Sequence, residues 1–255
     1  MTNNDILRVA LEQSAYDCSC SPEDFLSGEN KIVLSKKNEK ARNYLPLPFE
    51  FDLVTYGRGI VAQVSPRMMD IAKWYIGKYP AEHCFETPNI IALNERLAPF
   101  GYKVCFMAEY FLPDMDALKE NSCRYLLRVM EPEEFAPYYD GRWSNALSRS
   151  RRHLDRLAVG AFDGDRLIGL AGCSADCDGM WQIGVDVQAE YRRKGIAAAV
   201  TSRLAKEIIA RGKVPFYCAA WSNIASVRNA IKSGFRPAWV ELTARESSFV
   251  DEMNR

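Results

Sequence analysis

The sequence predicts an α/β protein of two domains: a C-terminal mixed sheet flanked by helices over residues 121–255, preceded by a smaller α/β domain over residues 1–120. Three observations carry this. Short apolar runs of strand length alternate with helical stretches from about residue 124 to 244. "RLAVGAFDGDRLIGLAGCSA" reads as two apolar strands around Asp163-Gly164, a dipeptide favoured in tight hairpin turns. In "GIAAAVTSRLAKEIIARG", Ile196, Val200, Leu204 and Ile208 recur every four residues and Gly212 ends the pattern, which is a helix with one buried face.

The first half reads as follows. Ile6, Leu7, Ala10, Leu11 and Ser14 suit one face of a helix, with Asn3, Asn4 or Asp5 at its cap. "SGENKIVLSKKNEKARNYLPLP" is a strand and a polar loop, and "FEFDLVTYGRGIVAQVS" is two strands around a turn at Gly57–Gly59. "PRMMDIAKWYIGKY" opens a helix on Pro66, and "NIIALNERLAPFGYKVCFMAEYFLP" is a helix, a break at Gly101 and a strand. No phosphate loop, paired carboxylates or metal spacing occurs here, so residues 1–120 are expected to be structural, without a cofactor of their own. The stretch 118–125 is the expected joint.

In the second half "YLLRVM" is a strand. "EPEEFAPYYDGRWSNALSRSRRHLD" is expected to carry one or two helices, its acidic start suiting a helix N-terminus. "MWQIGVDVQ" is a strand, "KVPFYCAAW" another, "NIASVRNAIKSG" a helix and "FRPAWVEL" a strand.

Composition narrows the function. Lys plus Arg and Asp plus Glu are both 33, a balance that argues against a general nucleic-acid binder. No apolar run approaches a membrane span, and the first residues lack a secretory pattern, so a cytoplasmic protein without a membrane partner is expected. The eight cysteines form no pair of Cys-x-x-Cys knuckles and read as small buried hydrophobes; no metal site is expected.

The chemistry concentrates in "EYRRKGIAAAV", residues 190–200. Arg192, Arg193 and Lys194 run into Gly195 at a strand-to-helix junction. Cations are disfavoured at a helix N-terminus, where unpaired N–H groups already carry partial positive charge. Their presence implies an anion, and phosphate is the common occupant. Gly195 has no side chain to hold a phosphate away, and Ala197 keeps the first turn small.

"VDVQAEYRRKGIAAAVTSRLAKEIIARG" resembles the acyl-CoA signature of the GNAT superfamily of N-acyltransferases, here Arg192-x-x-Gly195-x-Ala197. "WSNIASVRNAIKSGFRP" is similar to the family's next motif, with Asn223, Ser226 and Gly234-Phe235 in place. The resemblance covers roughly the last half of the chain. It implies a GNAT-like sheet and transfer of an acetyl or other short acyl group from acetyl-CoA to a primary amine by direct attack, with no metal. The acceptor is a small molecule or a peptide amine, and the oligomeric state is left open, a dimer included. It further implies that the backbone of Arg193, Lys194, Gly195, Ile196, Ala197 and Ala198 cradles the pyrophosphate, with Arg192 beside it. Val185 and Val187 would pair with the pantetheine arm, Asn223 and Ser226 would flank it, and the Val187 N–H would face the oxyanion.

The sequence departs from the family at Ala230, where many members carry a tyrosine as thiolate acid; Tyr217, Cys218 or water stand as substitutes. This keeps a second reading open, an acyl-CoA-binding sensor or partner module without turnover. The general base is not fixed among Asp176, Asp178, Asp186, Glu190 and His153, and a solvated surface role is expected for each. After "FRPAWVELTARE" only "SSFVDEMNR" remains, a poor match to the family's final strand, so either that strand is irregular or residues 1–120 cover the edge.

Overall fold

The computed structural model describes residues 1–255 as a mixed α/β protein. In chain order the elements are α1 (Asn3–Cys18), β1 (Lys31–Leu34), β2 (Phe51–Thr55), β3 (Ile60–Val64), α2 (Met69–Lys78), α3 (Thr87–Leu97), β4 (Tyr102–Pro113) and β5 (Leu126–Met130). There follow α4 (Pro132–Phe135), β6 (Asp155–Asp163), β7 (Arg166–Ser174), β8 (Met180–Val187), α5 (Ile196–Ala210), β9 (Val214–Ala219), α6 (Ile224–Lys232), β10 (Phe235–Glu246) and α7 (Ser247–Met253). No helix is long and apolar enough to cross a membrane.

The chain forms two compact units whose segments alternate: Met1–Ala10 with Phe111–Pro237, and Leu11–Tyr110 with Ala238–Arg255. The single joint expected near 118–125 is therefore replaced by three exchange points. The reason lies in the last strand: Val240–Thr243 of β10 pair antiparallel with Thr55–Asp52 of β2, which carries the C-terminus into the second unit. The chain's final residues are helical, not a strand, and the β10 edge is covered from the N-terminal half.

In the first unit the strands lie in the order β5-β6-β7-β8-β9, antiparallel up to β8 and parallel between β8 and β9. Ile196, Val200, Leu204 and Ile208 of α5 are buried against Leu157, Val159, Ile168 and Ile183, as the four-residue spacing requires. Each such side chain stabilises by about 1.5–3 kcal/mol. Gly169 permits the close approach, since a Cβ there would collide with Ile196. The opposite face is covered by Phe135, Trp143, Ala146 and Leu147. Here the expected one or two helices shrink to the single turn of α4, followed by turns. Pro137 has no N–H to extend the helix, and Gly141 takes φ +88°. The chain then lies flat on the sheet: Cβ atoms at Gly172 and Gly184 would collide with the carbonyls of Ala146 and Asn145.

The second unit has strand order β1-β3-β2-β10-β4. Its apolar core includes Phe51, Leu53, Ile60, Met68, Tyr75 and Leu93. A polar cluster is buried beside that sheet. The Arg42 guanidinium donates from Nε to Asp17 at 2.6 Å and from an Nη to Glu241 at 2.5 Å. Glu241 also accepts from Trp239 Nε1, and Asp52 accepts from Gln63 Nε2 and Thr243 Oγ1. The cysteines fall in with their expected apolar character in part: Cys18, Cys84, Cys173 and Cys177 are buried.

Removing one member of a buried ion pair strands the other, which costs about 3–5 kcal/mol. Arg42→Met is accordingly expected to lower the urea-unfolding free energy by about that amount, while Glu241→Gln costs less because Trp239 retains an acceptor. Burial, with Glu241 beside it, pushes the Asp52 carboxyl up to about 7. The folded state thus holds a proton that the unfolded chain releases near pH 4. Stability should fall as pH rises from about 4 through 7, and Asp52→Asn should flatten that limb in melts taken across the range.

Candidate active site

The functional geometry of the first unit begins where β8 leaves β9. Their parallel pairing runs from Met180↔Val214 to Ile183↔Tyr217 and stops, although β8 continues to Val187 and β9 to Ala219. On its other side β8 stays paired with β7 as far as Gly169↔Val187. Gly184–Val187 therefore face the gap with one edge outside the ladder, half-buried. An extended chain can add to such an edge by backbone hydrogen bonds.

Beyond β8 a short turn leads into α5. Arg193 and Gly195 both have left-handed backbones, φ +59° and +81°. The first intrahelical bond is Ala199 N–H to Gly195 O at 3.1 Å, and no side chain caps the helix. The N–H groups of Ile196, Ala197 and Ala198 precede that bond and point out of the helix start. Arg192, Arg193 and Lys194 are exposed around it. Arg192 Nε donates back to Val187 O at 3.2 Å, and Lys194 Nζ donates to Glu190 O at 2.9 Å while lying over the Tyr191 ring. The positive φ at Gly195 shows that glycine is required by the turn itself. Valine there is strained whatever approaches the helix, so the absence of a side chain is not by itself a sign of phosphate.

On the far side of the gap, the sequence-predicted residues of β9 and α6 form one cluster. Tyr217 Oη and Ser226 Oγ are 2.7 Å apart, and Asn223 Oδ1 accepts from Ser226 N at 3.2 Å, capping α6. Burial raises the Tyr217 phenol. Ala230 is fully buried, and Asn229 Nδ2 ties α6 to Thr201 of α5 at 3.1 Å. Val185 and Val187 pack their side chains toward α5, with Tyr191.

The candidate bases separate. Asp186 accepts from Asn145 N, Asn145 Nδ2 and Ala146 N at 2.6–3.0 Å, so it fastens the segment that crosses the sheet. Glu190 pairs with Arg166 at 2.5 Å in solvent, and Asp178 and His153 are exposed. Asp176, expected at the surface, is fully buried and paired with Arg151. Sequence reading passed over Asp155, a strand-start residue with 3% exposure, because nothing local distinguishes it from a turn aspartate. Of the neighbouring arginines, Arg151 points inward to Asp176, and Arg152 stacks over the Tyr139 ring.

Residues 139–238 match the model of the GNAT acetyltransferase family. A structure assigned to that family from Novosphingobium aromaticivorans DSM 12444 is 19% identical over 56% of this chain and 66% of its own, just under two thirds, with a TM-score of 0.46. A GCN5-related N-acetyltransferase from Sphaerobacter thermophilus is 15% identical over 94% of this chain and 92% of its own, with a TM-score of 0.47. The aminoglycoside N-acetyltransferase AAC(6')-Iy, solved in complex with CoA, is 15% identical over 48% of this chain and 93% of its own, with a TM-score of 0.36. No curated protein matches the chain. The GNAT stretch supports acyl transfer from acyl-CoA as the general chemistry.

Charge reversal tests the helix start without touching its backbone. Arg192→Glu with Lys194→Glu leaves thermal unfolding within a few degrees, since both side chains are exposed. Coenzyme A affinity should fall at least a hundredfold by calorimetry: two charge-assisted contacts contribute about 1.5–3 kcal/mol each. Affinity equal to the parent's would remove the anion from this helix start.

Proposed function

We propose that the unit containing Phe111–Pro237 transfers an acetyl group, or another short acyl group, from its CoA thioester to a primary amine by direct attack. The observation that supports this reading is the open edge of β8 ending beside an uncapped helix N-terminus ringed by three cations. One end suits an extended amide-bearing arm and the other its pyrophosphate.

In this reading Val185 and Val187 hold the pantetheine arm as an added strand, and the N–H groups from Arg193 to Ala198 take the pyrophosphate oxygens with Arg192 and Lys194. Asn223 and Ser226 border the arm from α6. The Val187 N–H faces the thioester oxygen and stabilises the charge it gains on attack. The amine nitrogen forms the new C–N bond and gives up one proton to solvent, the C–S bond breaks, and the thiolate takes a proton. Tyr217 is the donor placed for that step: its phenol is buried, protonated at neutral pH and linked to Ser226, so it can be reprotonated through the serine hydroxyl. The group fits the residues present, since the β8 edge is open, the donors at α5 are uncapped and Ala197 carries only a methyl. We further propose a cytoplasmic location.

The second reading, binding without turnover, draws on Ala230, which is buried and offers no proton. Free-thiol release from acetyl-CoA over a panel of amines separates the two. Release above the no-amine background supports the transferase; tight binding with no release for any amine supports the module. In the transferase, Tyr217→Phe is expected to lower kcat by about 10²–10⁴-fold with coenzyme A affinity within twofold of the parent.

A further inference from the structure

On the face of the sheet opposite α5 there is a recess of about 140 Å³, room for roughly four or five water-sized groups. Its lining includes Ser148, Arg151, Asp155, Ser174, Gln182 and Gly184. At one end are Ile183 and Gly184, where β8 parts from β9. At the other is Asp155, paired with Ser174, which is in turn paired with Gln182. Strands lie about 4.8 Å apart, so Asp155 is roughly 10 Å from the parting point across two strand spacings.

Two features of the far end ask for a ligand. Ser174 lines the recess at 9% exposure, and its buried hydroxyl has no hydrogen-bond partner. Asp155 accepts from Tyr139 Oη at 2.7 Å and from Ser148 N at 3.0 Å, both on Oδ2. The charges around it are Arg151 and Asp176, which pair with each other, and Arg152, which faces the Tyr139 ring. Arg151 lines the recess too, but it is shared between Asp155 and the fully buried Asp176, so one guanidinium serves two carboxylates. A buried charge that is only partly balanced is costly, and an ammonium with three donors matches a carboxylate and an unpartnered hydroxyl together.

We propose that this recess anchors a second ammonium of the acceptor: the substrate is a diamine or a larger polycation whose distal cation is held by Asp155 and Ser174 while its reacting amine lies where β8 leaves β9. This rests on the acyl-transfer reading. Asp155 determines specificity at a distance and takes no proton in the reaction. Its burial raises the carboxyl, a shift that an arriving ammonium opposes.

The test uses the full chain and a series of α,ω-diamines from 1,3-diaminopropane to 1,8-diaminooctane, each against the monoamine of equal length. With acetyl-CoA, thiol release should show a diamine preference of at least tenfold in kcat/KM at the best length, and Asp155→Asn should bring that ratio to about one. In amide NMR titrations the same diamines should shift Ser174 and Gln182, and n-pentanoate should not. Ser174→Leu, which fills the recess from a position already inside the fold, should abolish both effects and keeps the proposal testable if Asp155→Asn unfolds. Equal use of monoamines and diamines by the parent overturns the proposal, as does a preference retained in the variants. Diamines that leave Ser174 and Gln182 unshifted overturn it as well. If the parent binds no coenzyme A, the transferase reading falls, and the NMR titration still decides whether the anchor exists.

Discussion

Much of the first unit follows from the alternation of side chains along β8. Residues 181, 183, 185 and 187 turn toward α5 and its apolar face, and 182, 184 and 186 turn toward the segment that crosses the sheet. A slip by one residue would exchange the two sets. It would put Asp186 against Ile196 and Val200, and a valine against the Asn145 carbonyl where only glycine fits. The register thereby fixes three things at once: which edge is open, which face carries the helix start, and which face carries the polar recess.

The order of elements from β5 to β10 was legible because their patterns are local. The period of α5, the Asp163-Gly164 turn and the glycine stop at Gly212 each depend on a few neighbouring residues. The cation run at 192–194 stood out in the sequence because it opposes the electrostatics of a helix start, and the structure places it there, exposed. The positive φ of Gly195 was not, since a glycine reports permission for that conformation and not its use.

What stayed hidden depends on pairing across long separations. Glu241 meets Arg42 across 199 residues, and β10 meets β2 across a comparable stretch, so neither the exchange of segments between the units nor the buried ion cluster has a local trace. The segment 132–152 misled for another reason. Its acidic start and apolar residues suit a helix, yet Pro137 and Gly141 stop it, and its apolar side chains are spent on covering a glycine-bearing sheet face. Asp176 was expected at the surface and Asp155 was passed over, because burial of a charge shows only when its partners are seen.

The turn before α5 has one more consequence. Fixing a residue's backbone costs about 1–2 kcal/mol in conformational entropy. Arg193 and Gly195 already occupy left-handed conformations, and the turn is tied back to β8 through Arg192 and to itself through Lys194. That ordering cost is met when the chain folds. Under the proposed function, an anion arriving at the helix start would meet backbone donors that need no rearrangement, so the cost left to binding is the re-aiming of the exposed cationic side chains, and the encounter would be governed by diffusion and charge instead of by loop closure.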